Sequence, residues 1–309
     1  MSDILFLDSV FKEKIWGGNK LKEYFNYDIP SNNTGEYWAV SAHSNGDSIV
    51  KNGEYEGESL SWIWENKREL FGNIKGNEFP LLTKIIDANR DLSVQVHPND
   101  KYAKEHENSL GKTECWYIID CDQDSEFVLG HNANTKEEMR QIIDEGNWDR
   151  LLRRVKIKPG DFFYIPAGTV HAIGSGTMIL ETQQSSDITY RLYDYDRLQD
   201  GKPRELHIEK SIDVTKIPHE DAKNNPTIEK INNNVIKNLI ETEYFSVYKL
   251  DIKSNLKMNQ DKPFIIMSVL KGKGNIDGIS IEKGDHFIIP YNYGEFILDG
   301  DMEIIYSYV

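Results

Sequence analysis

The sequence predicts a mainly β protein built from two jelly-roll-type barrels with helical inserts, and three observations carry that expectation. Short strand-like runs separated by turn residues recur through most of the chain. One turn-and-strand pattern occurs twice: Lys158-Pro159-Gly160-Asp161-Phe162-Phe163-Tyr164-Ile165-Pro166 is echoed by Glu282-Lys283-Gly284-Asp285-His286-Phe287-Ile288-Ile289-Pro290, each with a Gly-Asp turn and a proline six residues after the glycine. Helical spacing is confined to a few short segments between the strand-like runs.

From the N-terminus, the segment Lys12 to Phe25 holds a turn signal at Trp16-Gly17-Gly18, then a short helical pattern that Asn19 can cap and that carries Leu21 and Phe25. Gly35 to Ser41 and Ser48 to Val50 read as strands. Leu60, Ile63, Trp64 and Leu70 fall at helical spacing, with Ser59 or Ser61 to start and Gly72 to stop an insert over 59–72. Leu81 to Asp87 is a buried strand with one lysine, Lys84, inside it. The strand Leu92 to His97 follows, and Pro98-Asn99-Asp100 ends it and opens a charged helix to about Glu107, with Asn99 as cap.

Lys112 to Asp120 and Glu126 to Leu129 return to strand. Thr135-Lys136-Glu137-Glu138 is a capping-box pattern that heads an amphipathic insert over 135–154, broken near Gly146. From Val155 the period changes back to two, through Val155–Lys158, Phe162–Ile165, Met178–Glu181 and Ile188–Tyr193. A polar, proline-interrupted stretch over 201–234 reads as a linker. It separates a ligand-bearing region, 1–200, from a second β unit, 235–309, whose copy of the turn motif supplies no histidine after its proline.

The chain has 309 residues, a net charge of −15 and a pI of about 5.0, which argue against a nucleic-acid or anionic-membrane surface and favour small-molecule work. Mean hydropathy is −0.58, and no apolar run approaches the ~20 residues that span a bilayer. The start, Met1 to Leu7, lacks the positive region of a signal peptide, so a cytoplasmic location is expected. Cys115 and Cys121, six positions apart on an extended segment, would be separated by roughly 20 Å, too far for a disulfide. Both are expected to be reduced.

The chemistry concentrates in Ser93-Val94-Gln95-Val96-His97-Pro98. A two-residue period puts Ser93, Gln95 and His97 on one face and Leu92, Val94 and Val96 on the other. A Gln carbonyl and an imidazole one residue apart can reach the same point, which suggests a metal, although a half-buried strand with satisfied polar groups has the same pattern. The stretch Gly160 to His171 adds a glycine, a proline six positions later, Gly168 and then His171. This spacing matches every fixed position of the second conserved motif of the cupin superfamily, whose histidine is a metal ligand inside a small jelly-roll barrel. The same resemblance implies further ligands from a first motif, for which Gln95, His97 and Glu114 are the candidates, and the donors would then be a carbonyl, two imidazoles and a carboxylate. That set suits zinc and accommodates Mn, Fe or Co.

The resemblance extends to a particular family. Trp16-Gly17-Gly18, Gly35-Glu36-Tyr37-Trp38, Lys84, Ser93 to Pro98, Gly111-Lys112-Thr113-Glu114, Pro166 to Ala172 and Glu181-Thr182-Gln183-Gln184-Ser185-Ser186-Asp187-Ile188-Thr189-Tyr190-Arg191 together resemble the type I mannose-6-phosphate isomerases. The resemblance implies that Gln95, His97, Glu114 and His171 hold one zinc ion and that Arg191 is a catalytic arginine. It also implies that Ser93, Lys84, Lys112, Glu181 and Asp187 line a sugar-phosphate pocket, with Trp16 as pocket wall or core. The substrate would be a hexose phosphate, interconverted between mannose and fructose 6-phosphate by a monomer or weak homodimer.

Such a reaction moves a proton between adjacent carbons. It needs polarised oxygens, a base and a seat for a dianion, which Lys84, Lys112 and Arg191 could offer in an otherwise acidic chain. Glu181 is the first choice for the base, with a metal-bound water or Lys112 next. A metal-dependent cupin oxygenase and a non-catalytic sugar-phosphate-binding double cupin are the alternatives.

Overall fold

Residues 3–309 are described in the computed structural model of the protein, and most of them are laid down as antiparallel strands. The first unit is a sandwich. Its inner layer is a six-stranded sheet, in the order Phe162–Ile165, Glu114–Cys121, Thr177–Gln184, Leu81–Ala88, Thr34–Val40, Val10–Gly18. Its outer layer is a five-stranded sheet, in the order Leu152–Lys156, Glu126–His131, His171–Ala172, Val94–Val96, Tyr190–Tyr193. Between the layers pack Trp16, Ile86, Trp116, Ile118, Phe127, Ile165 and Ile179.

The remaining layers follow from which faces are apolar. The outer face of the five-stranded sheet presents Val94, Val96, Val128, Ala172 and Leu192, and the helices Lys136–Asp144, Trp148–Leu151 and Ile208–Val214 cover it with Met139, Ile142, Leu151 and Ile212. The other face of the six-stranded sheet packs through Leu81, Ile85, Tyr117 and Leu180 onto Leu239, Phe245, Phe264 and Ile266 of the second unit. Both faces of the six-stranded sheet are thus covered, which is why Leu81–Ala88 and Thr177–Gln184 are buried at every position and show no alternation. The second unit is a bent ten-stranded sheet around its own core of Leu250, Met267, Phe287, Phe296 and Ile304.

The repeated motif folds the same way twice. Gly160 and Gly284 both take positive φ, at 89° and 98°, and Asp161 and Asp285 each accept a hydrogen bond from the backbone N–H three residues upstream, at 3.0 and 2.8 Å. His286, in the second copy, is satisfied in the core between Ser268 Oγ at 2.8 Å and Tyr27 Oη at 3.1 Å.

Several local expectations change. The insert over 135–154 stops being helical at Leu151, because Leu152–Lys156 pairs with Glu126–His131 as an edge strand. The 201–234 stretch carries the helix Ile208–Val214 and the strand Thr227–Ile231, the latter paired with Asn234–Glu241. Leu5–Asp8 lies in the C-terminal sheet against His286–Ile289 and is itself flanked by Ile49–Val50, so N-terminal segments complete an edge of the second unit. Ser59, Asn99 and Thr135 cap their helices through their side chains, but Asn19 does not. There the Lys20 N–H donates instead to Asp87 Oδ2 at 2.7 Å. Both cysteines are free thiols, and no helix among the described residues is long and apolar enough to cross a membrane.

Asp87 has a consequence for stability. It is fully buried, its Oδ1 has no hydrogen-bond partner, and burial drives its pKa up to about 6 despite the Lys20 contacts that pull it down. A carboxyl whose folded pKa exceeds its unfolded value contributes most when protonated, and that contribution is lost as pH rises through about 6. Asp87→Asn keeps an acceptor for Lys20 and never ionises. At pH 8 it is expected to be more stable than wild type by about 1–3 kcal/mol, with the difference closing below pH ~4. Thermal melts of both proteins at the two pH values check this; an equal or lower melting temperature for the variant at pH 8 would refute it.

Candidate active site

A buried polar cluster sits between the two layers of the first unit. Gln95 and His171 are register partners in the five-stranded sheet, His97 follows Val94–Val96, and Glu114 enters from the facing six-stranded sheet. The motif loop is tied to the His97 end of its neighbour by the Gly168 N–H, which donates to the His97 carbonyl at 2.9 Å. Gly168 has φ of +87°, and a Cβ there would lie 2.9 Å from the Val214 carbonyl, so only glycine fits this turn. Val170 and Val96 anchor the same two segments in the outer core.

Two imidazoles and a carboxylate converge here with their donor atoms within 4.8 Å of one another. Each ring contacts a carbonyl through Nδ1, His97 with Ile188 and His171 with Thr169, both at 2.8 Å. A carbonyl only accepts, so each Nδ1 carries the proton and each Nε2 is left as a bare lone pair. The two Nε2 atoms approach Glu114 at 3.5 Å (His97) and 3.3 Å (His171). Burial holds the pKa of His97 well below its ordinary value and that of His171 down to about 4, so both rings are neutral near pH 7.

Glu114 is completely buried, and among the described residues its one close cation is Lys112, whose Nζ lies 2.8 Å from Oε2. A buried carboxylate facing two unprotonated imidazole nitrogens is a good cation site, and in this structure the Lys112 ammonium is the cation beside it. The 3.3 and 3.5 Å separations also match the roughly 3.4 Å edge of a tetrahedron built on ~2.1 Å metal–ligand bonds. The Gln95 amide lies 3.3 Å from His171 Nε2, and turning it by 180° offers its oxygen at the same place. The residues therefore fit a divalent metal ion.

A cavity of about 370 Å³ opens beside this cluster. The seven candidates Trp16, Lys84, Ser93, Lys112, Glu181, Asp187 and Arg191 all line it, together with Gln95, while His97, Glu114 and His171 lie behind them. Lys112 Nζ bridges the two groups, 2.8 Å from Glu114 Oε2 and 3.2 Å from His97 Nε2. Burial pulls the Lys112 pKa down, but Glu114 and Glu181 outweigh it and hold the ammonium above its ordinary value. As long as Glu114 holds no metal ion, Lys112 is thus kept as an ammonium. Glu181 accepts from Trp116 Nε1 at 3.0 Å and lies 3.5 Å from Lys84 Nζ, and burial leaves its pKa raised even against the pull of Lys112. Arg191 stands across from Gln95 in register; its Nη1 donates to the Glu205 carbonyl at 2.8 Å and its buried Nε has no partner. The Arg191 N–H in turn donates to His207 Nδ1 at 3.1 Å, so a histidine outside any ligand pattern fixes this strand end.

Sequence reasoning missed part of the wall. Lys12, Lys14, Glu36, Asn45 and Arg204 also line the cavity. Glu36 accepts from Trp38 Nε1 at 2.7 Å and pairs with Lys14 at 3.3 Å; burial would raise its pKa, but Lys84, Lys14 and Trp38 together hold it at about 2. Asp187 is held at the rim by Asn45 Nδ2 at 2.6 Å, with His43 Nε2 at 3.7 Å. The signal that could have found the lysines is their alternation with Trp16 in Val10–Gly18. Six cations against three carboxylates make the cavity positive inside a chain of net charge −15.

Comparison with known proteins gives the family. Residues 4–124 match the family pattern described as phosphomannose isomerase type I, catalytic domain, and residues 235–309 that of the mannose-6-phosphate isomerase cupin domain. The chain is 56% identical to mannose-6-phosphate isomerase ManA of Bacillus subtilis over 99% of this chain and 98% of that one. It is 53% identical to the mannose-6-phosphate isomerase of Streptococcus mutans over 100% of this chain and 99% of that one. The crystal structure of the mannose 6-phosphate isomerase from Bacillus subtilis superimposes with a TM-score of 0.98 at 49% identity, covering 100% of both chains. With likeness over its full length, the chain belongs to the type I phosphomannose isomerase family.

Proposed function

We infer that the protein is a mannose-6-phosphate isomerase, interconverting mannose 6-phosphate and fructose 6-phosphate. The observation that carries the reading is a buried His97–Glu114–His171 donor set opening through Gln95 onto a cation-rich cavity. It does so in a chain 56% identical, over nearly its whole length, to a relative named for that activity. Zinc is the ion we assign to Gln95, His97, Glu114 and His171, since two imidazoles with two oxygen donors suit it. When bound it would supply Lewis-acid polarisation of the sugar's C1 and C2 oxygens.

The chain's own groups then divide the work. Glu181 takes the proton from C2 of the open-chain aldose and returns it at C1; its raised pKa and its anchoring by Trp116 suit a base that must both accept and release. Lys112, which lines the cavity beside Glu114, stabilises as an ammonium the negative charge that develops on the substrate oxygens. Arg191, with guanidinium valence to spare and no carboxylate partner among the described residues, holds the same oxygens from the opposite sheet. Ser93, Lys84 and Asp187 orient the hydroxyls, and Trp16 closes the wall. Each site is complete within one chain, which supports a monomer or weak homodimer, and two free thiols suit a cytoplasmic setting.

A coupled assay on several hexose phosphates tests the reading. Mannose 6-phosphate is expected to be converted with the highest kcat/KM. Chelation should lower that rate at least ~10-fold, with recovery on adding a divalent ion. Failure to interconvert mannose and fructose 6-phosphate in any metal-loaded form would sink it.

A further inference from the structure

We propose that Lys12 is the residue that grips the substrate's phosphate, and so sets the preference for phosphorylated over free sugar; the inference rests on the isomerase reading above. Most of the cavity's cations already have a carboxylate. Lys112 has Glu114 at 2.8 Å, Lys84 has Glu181 at 3.5 Å, Lys14 has Glu36 at 3.3 Å, and Arg204 Nε has Asp194 at 2.7 Å. Two have none among the described residues. Arg191 is one, and its register opposite Gln95 puts it at the reacting end. Lys12 is the other, and it is at the far end.

The Lys12 ammonium donates to the Asn45 carbonyl and lies 5.1 Å from the Trp38 ring centroid, so its polar partners are neutral. Gly46 makes room for it: a Cβ there would come 3.3 Å from Lys12 Cε and 3.0 Å from Trp38. Position in the sheet gives the length scale. Glu181, Lys84 and Trp38 are successive register partners on neighbouring strands. Two strand spacings, roughly 10 Å, therefore separate the Glu181 strand from the Trp38 strand, above whose ring the Lys12 ammonium sits. From C2 to phosphorus an open hexose phosphate extends roughly 7–8 Å. A substrate with C2 at Glu181 thus carries its dianion to within hydrogen-bond reach of Lys12. A lysine whose charge is not already neutralised is the partner a dianion gains most from.

The test uses Lys12→Met, which keeps the aliphatic stem on Trp38, and Lys12→Arg, which keeps the charge. In the metal-loaded enzyme, Lys12→Met is expected to raise KM for mannose 6-phosphate roughly 10–100-fold with kcat within a few-fold, and to weaken competitive inhibition by inorganic phosphate by the same factor. Lys12→Arg should restore most of both. If Lys12→Met leaves KM and phosphate inhibition at wild-type values, or lowers kcat while phosphate inhibition is unchanged, the assignment is wrong. A wild-type protein that binds inorganic phosphate through Lys12 but does not isomerise would overturn the isomerase reading and leave the anion site standing. An active wild type with an unaffected Lys12→Met overturns only the inference made here.

Discussion

Replacing His171 with alanine is expected to strip the bound ion and lower kcat/KM by on the order of 10³-fold. The size follows from the chemistry: a Lewis acid on the reacting oxygens is worth several kcal/mol of transition-state charge stabilisation, and ~4 kcal/mol is three decades in rate. His171 is the residue to remove because its position is over-determined. Its Nδ1 contacts Thr169 at 2.8 Å, Trp116 packs edge-on at 5.3 Å, and its strand pairs with Gln95 on one side and Leu129 on the other. Without it, the buried Glu114 carboxylate faces one imidazole fewer and is left with Lys112, 2.8 Å away, as its cation. Metal content per chain and kcat/KM should fall together, and far-ultraviolet circular dichroism separates this from unfolding. A folded His171→Ala protein that keeps both its metal and its turnover would refute the ligand set.

How much of this could be read without coordinates varied with how locally each feature is encoded. His171 could be, because a glycine, a proline and a second glycine at fixed spacing describe a turn whose backbone demands are local; Gly168 meets a carbonyl that leaves no room for a Cβ. Gln95 and His97 follow from the two-residue period of a strand whose other face is apolar, as Val94 and Val96 in the outer core confirm. The strand Val10–Gly18 was harder. Lys12, Lys14 and Trp16 alternate onto one cavity wall, but the strand's glycines suggest a turn, and its pairing with Thr34–Val40 shifts register after Lys12 and again after Glu13, which no local pattern announces. Glu36 was hidden differently: every residue of Thr34–Val40 is buried, so nothing in its pattern distinguishes the face toward the cavity from the face toward the second unit. The helix start at Lys20 depends on Asp87, 67 positions away, and no local motif announces a cap that arrives from another strand. Likewise the N-terminal strand Leu5–Asp8 pairs with His286–Ile289, a contact between the two ends of the chain that the linear order conceals.

The base assignment makes the second large prediction. Glu181→Gln is expected to lower kcat by ~10²–10⁴-fold, the range for removing a positioned general base, while metal content stays at the wild-type level. The substitution is nearly isosteric, and the amide oxygen can still accept from Trp116 Nε1, so the wall of the cavity should keep its shape. What changes is the ability to take a proton, together with the charge that faces Lys84 at 3.5 Å. Rate alone would not separate a lost base from a misplaced substrate; isotope exchange does. Wild-type turnover in deuterated water should label the sugar at the carbons between which the proton moves, since a carboxyl beside an open cavity can exchange with solvent between turnovers. In the variant, exchange and isomerisation should fall by the same factor, with KM little altered. If solvent exchange at C2 persists at the wild-type rate in Glu181→Gln, the proton is taken elsewhere. A bound water and Lys112 then become the groups to test.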